Sequence, residues 1–143
     1  MAIYNVLAAG VGLVGALLAI VMWALYIVGY WKVFTKAGEA GWKSIIPIYN
    51  NYVMFKIAWT GSMFWVYLLL AVVGGWMASA GGVLGAIGAL FGLASVLIMV
   101  LFCYKSARAF GYGLLFTVGL ILFNPIFTIV MGFDSSRYLG PQR

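Results

Sequence analysis

The sequence predicts an all-α membrane protein with four transmembrane helices and a short interfacial helix between the first and second. Hydrophobic residues fill 66% of the 143 positions and charged residues 7%, where ordinary globular domains carry roughly 25% charged residues. Mean hydropathy is +1.15. The few charges sit at the ends of long apolar stretches instead of covering one face of a soluble fold. A span takes roughly 20 apolar residues, so this length holds at most four or five helices with short connections. The chain, residues 1–143, therefore reads as one integral membrane domain without a separate soluble catalytic domain.

The first span covers about 4–31. No Lys or Arg precedes Lys32, and the apolar run is far longer than the core of a secretory signal, so the segment reads as a retained span. Ala8, Gly12 and Ala16, with Gly15 and Ala19 beside them, form a small-residue face that lets another helix approach closely. Trp23, Tyr26, Tyr30 and Trp31 read as interfacial anchors, and Lys32 and Lys36 end the helix.

Residues 42–59 hold too many polar groups for a comfortable span. Pro47 suits the first position of a short helix, with Ser44 nearby as a cap candidate. Asn50, Asn51 and Lys56 do not share one clean polar face, while the Trp and Tyr content suits the headgroup level. The segment is expected to lie at the interface or to re-enter shallowly.

From Thr60 to Cys103 there is no Asp, Glu, Lys, Arg or His. One span uses about half of that length, so the stretch divides into spans at 62–79 and 83–104 with a tight turn near Ser79 to Gly82. Gly81, Gly85 and Ala89 recur at four-residue spacing, as do Gly88 and Gly92, a pattern suited to helix packing and to homo-oligomer formation. The fourth span covers 111–133 and is interrupted by Asn124 and Pro125. Proline removes a backbone donor and obstructs the bond to the carbonyl of Ile121. Asn124 brings an amide to the same depth, as interhelical glue or as part of a ligand site.

The formal net charge is +6. At the ends of spans, bases contact anionic headgroups on the cytoplasmic face, so nucleic acid is not an expected partner. Lys32, Lys36, Lys43, Lys56, Lys105 and Arg108 fall on one predicted side and Arg137 and Arg143 on the other, which places both termini outside. Trp42, Tyr49, Asn50, Asn51, Tyr52 and Lys56 form a candidate surface for a lipid headgroup or partner. Lys105 and Arg108, three residues apart, are candidates for one shared phosphate.

Reactive groups are scarce. Histidine is absent and Cys103 is the single cysteine, which removes the usual neutral-pH base and the commonest metal ligand. Glu39 and Asp134 fall on opposite predicted sides, so no metal site is expected, and no cofactor. Three Lys–Ser pairs are available to a serine peptidase: Lys43 with Ser44, Lys105 with Ser106, and Lys56 with Ser62. Adjacent helical residues diverge by about 100°, which disfavours the first two, and a predicted turn separates the third. No catalytic residue is assigned.

The motifs GEAGWKSIIPIYNNY (38–52), AFGYGLLFTVGL (109–120) and GFDSSRY (132–138) together resemble a family of small prokaryotic four-helix membrane proteins without an assigned function. The resemblance rests on Gly41 and Trp42, the Ile46–Asn50 run, Ala107 with Phe110 and Gly111, and Gly132, Phe133 and Tyr138. Members often carry a proline where this chain has Ala40. The resemblance implies a multi-pass protein of the prokaryotic cytoplasmic membrane and supplies no reaction. A signal-peptidase label carried by some members lacks chemical support in these residues. The leading expectation is assembly or partner binding in the membrane. The alternative is an oligomeric small-solute or ion transporter or channel with its site near the break at Asn124.

Overall fold

The computed structural model describes residues 1–142, and Arg143, one of the two bases assigned to the outer side, lies outside them. The order is α1 (Ala2–Lys36), a 3-10 turn (Gly41–Ser44), α2 (Tyr49–Ala58), α3 (Gly61–Ser79), α4 (Gly82–Ala109), α5 (Leu114–Leu122) and α6 (Asn124–Phe133). Helices α1, α3 and α4 are long and apolar enough to cross a membrane. At about 1.5 Å per residue they measure roughly 52, 28 and 42 Å.

Two of these helices end by the same device. After Lys36, Gly38 takes φ 79°, its N–H reaches the carbonyl of Thr35, and the Glu39 N–H reaches that of Phe34. After Ala109, Gly111 takes φ 82°, with Gly111 bonded to Arg108 and Tyr112 to Ala107. This left-handed glycine closure satisfies the last carbonyls and turns the chain sharply at the end of each span.

The predicted fourth span is not one helix. Phe123, at φ −135° and ψ 55°, leaves helical geometry between α5 and α6. Phe116 and Phe127 then meet with ring centroids 5.1 Å apart, whereas a continuous helix would hold positions so separated about 16 Å apart along its axis. Gly119 lies so close to the Phe127 ring that an added Cβ would strike it. Helices α5 and α6 thus form a hairpin that returns to the end from which it started. Each is only about 13–15 Å long, half of a bilayer core. The physical reason is Asn124-Pro125: Pro125 opposes continuation of α5 but fits the first turn of a new helix.

The 42–59 segment also departs from a surface-lying helix. Val53, Met54, Phe55, Ile57 and Ala58 of α2 are buried, with the Phe55 ring stacked 4.1 Å from Phe102 of α4. Ile48, just before α2, shares a pocket wall with Leu68, about two turns of α3 away from Gly61. The segment dips into the bundle and climbs back to Trp59, because its aromatic face buries more apolar surface against α3 and α4 than an interface would cover.

The returning hairpin corrects the placement of the C-terminal tail. Lys36 bonds to the carbonyl of Met131 and to Asp134. The Tyr138 hydroxyl donates to the carbonyl of Ile57 at 2.6 Å, Leu139 N–H reaches Ala109, and Gln142 N–H reaches Ala58. The tail therefore crosses the end of the molecule that holds Lys36, opposite Met1, and the expectation of both termini on one side does not hold. Arg137 joins the six bases already assigned there. Glu39 and Asp134, expected on opposite sides, also share this end.

The glycine pattern of 81–92 is used partly within the chain. A Cβ at Gly88 would run into the backbone of Ala78 and Gly74, and one at Gly85 would touch the carbonyl of Ala78, whereas Gly81 and Gly92 meet nothing within 4 Å. Ala89 is exposed. Close packing of α1 occurs elsewhere than its predicted small face: Gly29 meets Gly132 and Ile129 of α6, while Gly12 and Gly15 stand open. The fully buried core, including Val33, Phe34, Phe55 and Met131, lies toward the Lys36 end. Residues 2–25 of α1 are all exposed.

Candidate functional site

The two inserted segments converge on one cavity of about 420 Å³. Asn51 reaches it from the first turn of α2 and Asn124 from the start of α6; Tyr26 and Tyr30 come from α1, Tyr67 from α3, and Ser95, Met99 and Cys103 from α4. Its size is that of ordinary small-molecule sites, and its composition follows their pattern of apolar walls with a few convergent polar groups. Asn124 stands here because the chain break puts it at a helix start, where its side chain is free of the α5 packing face.

The polar groups are ordered. The Tyr26 hydroxyl donates to that of Tyr30 at 3.0 Å, with the rings edge to face at 4.7 Å. Ser95 Oγ donates to the carbonyl of Gly92 at 2.7 Å. Thr128 Oγ1, one turn along α6, donates to Asn124 Oδ1 at 3.4 Å, which leaves the Asn124 amide nitrogen for another partner. Beneath lies a chamber of about 10 Å³, lined by Tyr30, Cys103, Asn124 and Thr128, and by Ser106 from the last turns of α4. The Ser106 hydroxyl is buried without a hydrogen-bond partner.

No residue lining either space carries a formal charge. Helices α2 and α6 both start close to the cavity, and neither start has a side-chain cap. The Tyr49, Asn50 and Tyr52 N–H groups of α2 are already bonded to the carbonyls of residues 46–48, so what both starts bring to the cavity is the positive end of a helix dipole. This suits oxygen acceptors and opposes cations.

The proposed headgroup surface is dispersed. Asn50 turns away from Asn51 and donates to the carbonyl of Ser44. Tyr49 and Tyr52, with ring centroids 5.9 Å apart, line a separate groove of about 300 Å³ with Pro47 and Trp65. Trp42 is exposed. Lys105 does not join Arg108 around a phosphate: it donates to the carbonyl of Gln142 and lies 4.8 Å over the Trp59 ring, while Arg108 remains exposed.

The three Lys–Ser pairs are also separated in their contacts. Lys43 and Lys56 both bind Glu39, Lys105 binds Gln142, and Ser62 Oγ pairs with Thr60. The two lysine hydrogen bonds, that of Lys43 foremost, hold the Glu39 carboxyl below its usual pKa. Burial opposes the Asp134 charge, but hydrogen bonds from Ser136 and Lys36 together lower its pKa.

Sequence reasoning assigned Tyr26 and Tyr30 to interfacial anchoring, weighed Ser106 only as a disfavoured partner of Lys105, and passed over Tyr67 and Ser95. The available signal was spacing: Tyr26 and Tyr30 are four residues apart on one helical face, and Ser95 and Ser106 are isolated hydroxyls in or just beyond an uncharged run. Their convergence depends on the hairpin, which the fourth-span reading excluded.

No curated protein and no solved structure matches the chain. A family model matches residues 42–141, a region that contains both inserted segments, α3, α4 and most of the tail. By that match over most of its length, this α-helical membrane protein belongs to the family of unknown function DUF5684.

Proposed function

We propose that this protein is a multi-pass protein of the prokaryotic cytoplasmic membrane that binds a small molecule where its two inserted segments meet. The convergence of Asn51 and Asn124 with Tyr26, Tyr30, Tyr67 and Ser95 around one cavity carries the reading. Discontinuous helices with their N-termini at mid-depth recur at the binding sites of transporters, where irregular backbone is tolerated because it lines a cavity. The bases at the Lys36 end favour a cytoplasmic position for that end and for the tail, with Met1 and the α3–α4 turn outside. Exposed Arg108 and Arg137 then face anionic headgroups. The cavity is read as a site of binding or passage: its lining contains no charged acid or base within reach of a nucleophile.

The test is native mass spectrometry of the protein released from nanodiscs made with lipid extract. The expected result is a bound nonprotein mass in the parent chain that is lost in Asn124→Leu, with helicity and elution unchanged. A parent chain without bound mass, or one whose bound mass survives Asn124→Leu, removes the reading.

A second reading, a membrane partner seated on α1, is supported by the complete exposure of residues 2–25. Here Gly12→Leu should abolish co-purification of that partner while leaving ligand mass unchanged. Equal recovery with both chains counts against it.

A further inference from the structure

We infer that the cavity takes a membrane-dissolved amphiphile with an uncharged, oxygen-bearing head, admitted sideways from the lipid and oriented with that head toward Asn124 and Ser106. This rests on the reading of the cavity as a ligand site and names the class of ligand.

The rim is the first ground. Val96, Val100 and Ile121 line the cavity and are 56%, 39% and 44% exposed, so they form an apolar mouth midway along α4 and at the hairpin tip. Asn51 is the exposed polar exception. A solute arriving from water would have to cross this apolar rim, whereas a molecule dissolved among acyl chains meets surface of its own kind. Most of the lining is likewise apolar, including Met99, Phe102 and Leu120, and suits a hydrocarbon body.

The floor is the second. Ser106 is 2% exposed, and its hydroxyl lacks a partner. A helical serine ordinarily bonds a carbonyl of the preceding turn, and a buried hydroxyl without a bond is costly. Ser106 instead lines the small chamber, which shares Tyr30, Cys103 and Asn124 with the main cavity. The chamber is about the size that one water requires. A ligand hydroxyl reaching its edge, directly or through such a water, supplies the missing partner.

Charge is the third. A cationic head would meet the positive ends of α2 and α6 without a carboxylate, and an ionised acid would find only those partial charges, with no cationic side chain in the lining to offset the desolvation of its full charge. A neutral hydroxyl or carbonyl oxygen accepts from the Asn124 amide nitrogen, which Thr128 leaves free, at no such cost.

Photo-crosslinking in nanodiscs tests this with diazirine-bearing hexadecanol, hexadecylamine and hexadecanoic acid at neutral pH, with labelled peptides mapped by mass spectrometry. Hexadecanol should label the 96–103 and 120–124 regions at least five-fold more than either charged analogue. Val96→Trp, which fills the mouth from a lipid-facing position, should cut that labelling at least five-fold, as should Asn124→Leu. Ser106→Ala should lower it about three-fold, while Leu90→Trp, on lipid-facing α4 outside the cavity, should leave it unchanged. Labelling by the amine or acid that equals hexadecanol, or labelling indifferent to Val96→Trp, overturns the inference. Equilibrium binding of radiolabelled glycerol separates the two levels: Asn124-dependent glycerol binding without hexadecanol labelling overturns the amphiphile and keeps the site. If neither probe responds to Asn124→Leu, both fall.

Discussion

Ile48 is the residue where backbone conformation departs furthest from its chemistry. Its φ is 67° and its ψ −53°, with the Tyr49 N–H bonded back to the Pro47 carbonyl at 2.7 Å, a tight γ-turn that a β-branched side chain adopts only at a cost. It follows Pro47 and turns the inserted segment into α2, so the strain sits at the tip of the segment that delivers Asn51. Ile48→Gly should remove the clash, and despite the entropy that glycine loses on folding should stabilise the protein by about 1 kcal/mol. Thermal unfolding in one detergent measures this; a lower melting temperature would show that the Ile48 side chain packing outweighs the strain. Asn51 and Asn50 illustrate a second point at this scale. Neighbours in sequence, they face different surroundings because successive helical residues diverge by about 100°, and only Asn51 lines the cavity.

Among the elements, the α3–α4 pair is built on the close approach of Gly74 and Gly88. Gly88→Leu should force these backbones apart and destabilise the protein by roughly 1–3 kcal/mol or more, the range for overpacked interiors. Gly92→Leu, in open space, should stay within about 0.5 kcal/mol. Paired denaturation curves check the contrast, and equal effects would contradict the packing described. The turn after α1 depends on charge instead. Glu39 bridges Lys43 and Lys56 and its pKa is depressed, so its stabilisation is complete above the unfolded-state pKa and is lost as pH falls through the folded-state value. Acidification should therefore loosen the 3-10 turn, read as faster amide exchange at 40–45, and Glu39→Gln should remove that acid dependence. Persistence of the same pH profile in Glu39→Gln would assign it to another group, Asp134 being the other carboxylate at this end.

For the whole molecule, the proposed arrangement, with α1, α3 and α4 as the crossings and the tail at the Lys36 end, puts the two ends of the chain on opposite faces. A single cysteine at position 140, in a Cys103→Ala background, should react with an impermeant maleimide only from the cytoplasmic side, and one at position 3 only from outside. Both positions reacting from outside would restore the four-span arrangement. Reversal of Lys32 and Lys36 together should disturb insertion more than reversal of Arg137 alone, since they lie beside the end of a full span.

The sequence by itself determined the membrane class, the all-helical architecture, the turn that separates α3 from α4, and the break in the chain at Asn124-Pro125. These follow from local quantities: apolar run length against bilayer thickness, missing charges, and a proline that cannot continue a helix. It also pointed to close helix packing at 81–92 without naming the neighbour. Only the tertiary structure decided that α5 and α6 fold back, that residues 45–58 dip into the bundle, and that Tyr26, Tyr30, Tyr67 and Ser95 meet the two asparagines. A kinked span and a returning hairpin begin with the same local break at proline. What separates them is whether Phe127 packs beside Phe116 and Gly132 against Gly29, contacts between distant parts of the chain that periodicity does not encode.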